Sequence, residues 1–259
     1  MALVKTSEEI DKMRRGGLLL SRALQAAIAE VRPGIGIWEL DMVAERVIRD
    51  GGGTPSFKGY RVFPDDIPFP STVCISVNAE VVHGPGNRRM TLREGDIIGL
   101  DIGCWFEGLC TDMAVTVPVG RVSDKVVKLM GVTKESLLAG VAAARPGAFV
   151  KDIGRAVQDV IQPHRYGIVR ALAGHGVGHA VHEEPQVPNF ADPRSPRVAL
   201  KEGMCLAIEP MISMGGDERV TTADDGWTVV MRDGSLAAHF EVTIVLTAAG
   251  NEIVTPLPV

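Results

Sequence analysis

Apolar residues recur at helical spacing from residue 8 to about 31, where Ile10, Met13, Leu18, Leu20, Leu24 and Ile28 share one face. Thr6 and Glu9, three residues apart, offer a capping box at its start. A second amphipathic stretch at 38–48 predicts another helix. The period then shortens. Residues 73–83, 96–105 and 110–119 are short, β-rich and bounded by glycine or proline, so they predict strands, the last two as a hairpin. The order then returns, with helix-like stretches at 126–141 and 149–161 followed by predicted strands at 205–214, 227–231 and 240–247.

This recurrence extends to individual residues. Arg32-Pro33-Gly34, then Ile37, Leu40 and Val47-Ile48, is echoed at one constant offset by Arg145-Pro146-Gly147, then Val150, Ile153 and Val160-Ile161. Glu94-Gly95 and an apolar strand ending in Asp101 are matched by Glu202-Gly203 and an apolar strand ending in Glu209. Asp112 and the β-rich run after it resemble Glu241 and the run after it. Each half therefore brings two carboxylates into apolar strands.

An ionised carboxylate in an apolar strand is expensive unless something offsets its desolvation. Any one of these acids could face water from an edge strand. If the halves fold alike, however, Asp101, Asp112, Glu209 and Glu241 converge, and four negative charges in one pocket require cations among them. Carboxylates with one imidazole suit first-row divalent ions, and two such ions can share bridging carboxylates. The imidazole is sought in GHGVGHAVHEEPQV, which holds His175, His179 and His182, half of the six histidines. His175 and His179 are spaced like a helical metal pair, but the surrounding glycines oppose a helix and HExxH is absent.

Composition narrows the function. With 46% hydrophobic and 23% charged residues the chain can bury a polar site, and a net charge of -5 argues against direct nucleic-acid binding. The N-terminus turns polar within five residues and has no apolar signal core, and no apolar run approaches the roughly 18 residues of a membrane span, so a protein that is neither exported nor membrane-bound is expected. Cys74, Cys104, Cys110 and Cys205 form no CxxC pair and are expected to be reduced thiols, which fits the cytoplasm.

The chain resembles the type I methionine aminopeptidases over essentially its full length. The resemblance is carried by CISVNAEVVHG, EGDIIGLDIG followed by CTDMAV, GHGVGHAVHEEPQV, EGMCLAIEPM and DGWTVVMRDGSLAAHFEVTIVLT. It implies an α+β pita-bread fold, a pseudo-two-fold repeat of helices packed on a curved antiparallel sheet. One catalytic domain over 1–259 is expected, with repeats of about 1–120 and 121–259. It also implies that Asp101 chelates one of two divalent ions (Co, Mn, Fe or Zn), that Asp112 and Glu241 bridge both, and that His175 and Glu209 complete the other shell. Glu209 would handle the proton of a water between the ions, His182 would steady the tetrahedral intermediate, and His83 would bond near the scissile amide. For His83 the alternative is a cap on the glycine turn beside it; His179 matches no family ligand. Phe57, Tyr60, Cys74 and Trp227 match pocket-lining positions, and Cys74 reads equally well as plain core.

The implied substrates are peptides and nascent polypeptides with N-terminal methionine and a small second residue. A monomer that meets the ribosome only transiently is expected. Two departures from the family, both expected at the pocket rim, are the insertion-like RVFPDDIPFP at 61–70 and Val181 in place of an aromatic before His182. The rivals are a proline-directed relative of the same fold and a non-catalytic binding module; the latter would be expected to lose ligands that are all present here.

Overall fold

Thr6 begins the first helix as its sequence predicts. In the computed structural model, which describes residues 4–192 and 197–258, its hydroxyl accepts from the Glu9 N–H and the Glu9 carboxylate accepts from the Thr6 N–H. This closes the capping box of α1 (Ser7–Ala29). Helices α2 (Ile37–Asp50), α3 (Asp124–Ala143) and α4 (Val150–Ile161) follow, each within two residues of the predicted bounds. Among the described residues no helix is long and apolar enough to cross a membrane.

The echoed Arg-Pro-Gly turns make the same contacts. Gly34 and Gly147 both take φ 88°, where a side chain would be strained. Gly34 N–H donates to Leu92 O and Gly147 N–H to Leu200 O, while Ile37 N–H donates to Met90 O and Val150 N–H to Val198 O. An acid three residues into the following helix caps each turn, Glu39 on Gly36 N–H and Asp152 on Phe149 N–H.

A nine-stranded antiparallel sheet holds β1 (Thr54–Pro55), β2 (Val73–Val77), β3 (Ile97–Phe106), β4 (Leu109–Pro118), β5 (Gly174–Gly176), β6 (Glu183–Val187), β7 (Cys205–Ile208), β8 (Glu241–Thr247) and β9 (Gly250–Ile253). The order is β1-β3-β4-β8-β7-β5-β6, with β2 on β3 and β9 on β8. Because strand side chains alternate, one face carries Leu100, Ile102, Met113, Val115, Leu206, Ile208, Val242 and Ile244 into a buried cluster with Leu20, Leu24, Leu40 and Ile153 of the helices. The opposite face is left for the polar residues between them.

Two predicted strands are broken. Asn78 at φ 59° divides 73–83 into β2 and Glu80–Val82, which joins a separate three-stranded sheet. The 205–214 run stops at Ile208 and resumes at Met211–Ser213, because Pro210 has no N–H to continue the ladder. Glu209 therefore lies just past the end of β7 rather than inside a strand.

Candidate metal and active site

The register of the sheet assembles the site. Cys74 faces Asp101, Asp101 faces Ala114, and Ala114 faces Glu241, which forms a row across β2, β3, β4 and β8. Val242 faces Ile208, so the same register carried one residue further sets Glu209 beside Glu241. A neighbouring row on the same face runs from Gly103 to Asp112, and then through Thr243 and Ala207 to His175. Asp112 is locked there: its N–H donates to the Thr243 hydroxyl, which in turn donates to Asp112 O at 2.7 Å. All five implied ligands thus converge from four strands and one strand end.

Their burial fits divalent ions. Asp112, Glu241 and His175 are buried, and ligand atoms of these three lie within 4.8 Å of one another. Oδ1 of Asp101, Oδ1 of Asp112 and Oε1 of Glu241 are buried without a hydrogen-bond partner, as expected of oxygens shaped to meet a cation. Burial pushes the Asp101 carboxyl up to about 7 and that of Glu209 to about 8. Asp112 and Glu241 are raised well above the ordinary range by burial, then by repulsion from the other acids. A divalent ion reverses this balance by compensating several ionised carboxylates at once.

The histidines are poised as neutral donors or ligands. His175 Nδ1–H donates to Gly176 O at 2.9 Å, which leaves Nε2 free, 3.4 Å from Glu209 Oε1. Burial holds the His175 imidazole down to about 3 and His83 to about 4. His83 sits at φ 61°, a conformation uncommon outside glycine. The His182 ring lies 4.5 Å from that of His175, and its Nδ1 shares a 2.9 Å hydrogen bond with the Tyr60 hydroxyl. His179 points elsewhere, with Nε2 2.6 Å from Glu9 Oε1, in agreement with its lack of a ligand role.

Every predicted site residue lines one cavity of about 160 Å³: the five ligands, His83 and His182, and also Phe57, Tyr60, Cys74 and Trp227. Its apolar wall is a chain of edge-to-face rings, Phe57 to Phe69 at 6.5 Å and Phe69 to Trp227 at 5.3 Å. Gly103 makes room for it, since a Cβ there would lie 3.0 Å from Phe57 Cε1. Asp225 accepts from the Trp227 and Thr228 N–H groups and so fixes the turn that presents the indole.

Sequence reasoning did not single out six of the lining residues: Val62 and Phe69, which lie in the 61–70 stretch expected at the rim, and Val82, Leu172, Ala173 and Met211. It also missed His239, buried at 2% exposure with Nε2 unpartnered, 3.6 Å from Glu209 Oε2 and 4.0 Å from Glu241 Oε2. His239 precedes Glu241 by two residues, and strand parity therefore puts it on the same face. The two departures also part company. The 61–70 stretch does reach the cavity, through Val62 and Phe69. Val181 does not: it is 5% exposed in the cluster of Met13, Phe57 and Cys74 and supports the wall from behind.

The sequence profile of metallopeptidase family M24 matches residues 11–248. A methionine aminopeptidase of Clostridium perfringens is 44% identical over 98% of this chain and 99% of its own. The crystal structure of the methionine aminopeptidase of Thermotoga maritima superposes with TM-score 0.92 at 38% identity, covering 97% of this chain and 98% of that one. A Pyrococcus furiosus prolidase, 22% identical, shares the fold with TM-score 0.78, and this chain covers 65% of its length. The curved sheet with its helix pairs is the pita-bread fold, and the chain belongs to metallopeptidase family M24.

Proposed function

We infer that the protein is a metal-dependent methionine aminopeptidase, which removes N-terminal methionine from peptides and nascent polypeptides with a small second residue. The observation that carries this reading is the buried set of four carboxylates and His175, opening into an apolar, aromatic cavity that also holds a cysteine thiol. Such a wall suits an unbranched thioether. The near-full-length likeness to proteins named methionine aminopeptidase supports the same substrate.

Asp101, Asp112, His175, Glu209 and Glu241 would hold two divalent ions, which when bound supply Lewis acidity and a nucleophile from water at neutral pH. The chain's own groups do the rest. Glu209, with its carboxyl pushed up toward neutrality by burial, takes a proton from the attacking water and passes it to the leaving amine. His182, anchored by Tyr60, stands against the His175 ring in the cavity wall and donates to the oxygen on which charge develops. His83 bonds near the scissile amide. Phe57, Tyr60, Cys74 and Trp227 receive the methionine side chain.

The whole chain acts as one catalytic domain, with halves that meet near residue 120. The four buried free thiols agree with a cytoplasmic setting, where nascent chains arise. A monomer with transient ribosome contact completes the proposal.

The test is release of methionine from Met-Ala-Ser by metal-stripped protein resupplied with Mn, Co, Fe or Zn in turn, beside Glu209→Gln. Metal-dependent release that the variant lacks is expected. Preference for an Xaa-Pro peptide would point to a proline-directed enzyme instead, and no release with any ion would leave a binding module.

A further inference from the structure

His239 is one strand step from the bridging acid, and its place is over-determined. Its N–H donates to the Thr116 hydroxyl at 2.8 Å, and that hydroxyl donates back to His239 O at 2.9 Å. The main chain is thus held through both its N–H and its carbonyl by Thr116, and the buried imidazole points Nε2 toward the acids. Burying a ring nitrogen without a partner is costly, and His239 Nε2 is such an atom.

Glu209 is held from several sides. Its Oε1 lies 3.4 Å from His175 Nε2 and its Oε2 lies 3.6 Å from His239 Nε2. Its main-chain oxygen accepts from Asn189 Nδ2 at 3.0 Å. The carboxylate lies beyond the end of β7, where no ladder bond restrains it. A group that must both bind an ion and move a proton cannot be left to rotate there. The two imidazoles divide its oxygens: Oε1 is turned toward His175 and Oε2 toward His239.

We propose that His239 is a positioning residue: its Nε2–H donates to Glu209 Oε2 and fixes which carboxylate oxygen meets the ion and which stays free for the proton. The 3.6 Å separation is within a few tenths of an ångström of a hydrogen bond, and a small turn of the Glu209 carboxylate would close it. Ligand atoms of Glu209, His239 and Glu241 lie within 4.8 Å of one another; in the positioning role His239 acts through Glu209 and does not itself bind the ion. This inference rests on the metallopeptidase reading above.

The test compares wild type, His239→Ala and His239→Gln for ion affinity by chelator competition with Mn and Co, for cobalt absorption, and for kcat and KM separately. Loss of an outer-shell donor typically weakens ion binding by roughly 10–100-fold. His239→Ala is expected to show that loss in its tighter site, with kcat reduced and KM near wild type. His239→Gln keeps an N–H within reach and is expected to recover most of both. If His239→Ala fails to fold, His239→Asn replaces it, since that amide is too short to reach. Unchanged ion affinity and kcat in the Ala or Asn variant would overturn the proposal. So would a Gln variant as impaired as Ala, with one ion fewer and an altered cobalt spectrum, because the imidazole would then be a ligand itself. Wild-type protein that binds no ion would instead overturn the functional reading.

Discussion

Two clusters of buried charge draw on the segment from Gly174 to Glu184, one through His179 and Glu183 and the other through His175, and they are built on opposite principles. On one side Lys5 and Glu183, with side chains 1% and 4% exposed, pair directly, and Glu183 also accepts from the Ala180 N–H. His179 reaches Glu9 beside them, and the lysine stem passes close to Gly178, whose φ of 141° suits glycine and where a Cβ would lie 2.4 Å from Lys5 Cε. On the other side Asp101, Asp112, Glu209 and Glu241 meet one another and neutral imidazoles. The first cluster carries its own counterion and is complete when the chain folds. The second is unbalanced, so the countercharge must come from outside; imbalance, rather than burial, distinguishes the functional cluster from the structural one.

The unbalanced cluster is most sensitive at Glu209. Glu209→Gln keeps the shape and removes proton transfer, and kcat for Met-Ala-Ser should fall by about 10²–10⁴-fold while the thermal midpoint holds. In the paired cluster the effects should reverse. Lys5→Met strands the Glu183 charge and should cost about 3–5 kcal/mol in denaturant unfolding, whereas Lys5→Met with Glu183→Leu should recover much of that loss.

Removing the ions sharpens the contrast through pH. Asp101 and Glu209 have folded pKa values raised to about 7 and about 8, from 3.8 and 4.5, so the ion-free fold prefers them protonated. That stability is fully present below about pH 4 and is lost as pH rises toward about 8. Thermal midpoints of chelator-treated protein should therefore drop across that range, and those of ion-loaded protein should not. The smallest effect belongs to the half-buried Glu9–His179 pair. Glu9 is held down to about 2, chiefly by its bond to His179, so its contribution is present above about pH 4.5 and fades in strong acid. His179→Gln should cost about 1 kcal/mol or less and leave kcat unchanged.

Much of this contrast was legible in the sequence, for a physical reason. A carboxylate in an apolar strand violates the local pattern, so Asp101, Asp112, Glu209 and Glu241 stood out, and the repeated turns at Gly34 and Gly147 announced that they would converge. His239 did not stand out, because AAHFEV reads as an ordinary strand and only its parity with Glu241 connects it to the site. Val181 was misplaced at the rim because sequence adjacency to His182 does not reveal which side of a bend a side chain takes. Phe69 and Met211 enter the wall through long-range packing that no local period encodes. The breaks at Asn78 and Pro210 are turn chemistry inside otherwise continuous apolar runs, which periodicity alone overruns.

The order of the strands has a consequence for how the protein is made. β8, which carries Glu241, comes late in the chain yet lies between β4 and β7, at the seam of the sheet. Until it leaves the ribosome, the two halves present open edges to one another and the carboxylate set is incomplete. Folding must then be closed by a late, long-range insertion, a slow step that leaves edges open to aggregation while they wait. A chain cut short before residue 241 would lose the join between two half-sheets rather than a trailing strand, so no truncated product of synthesis could process another nascent chain.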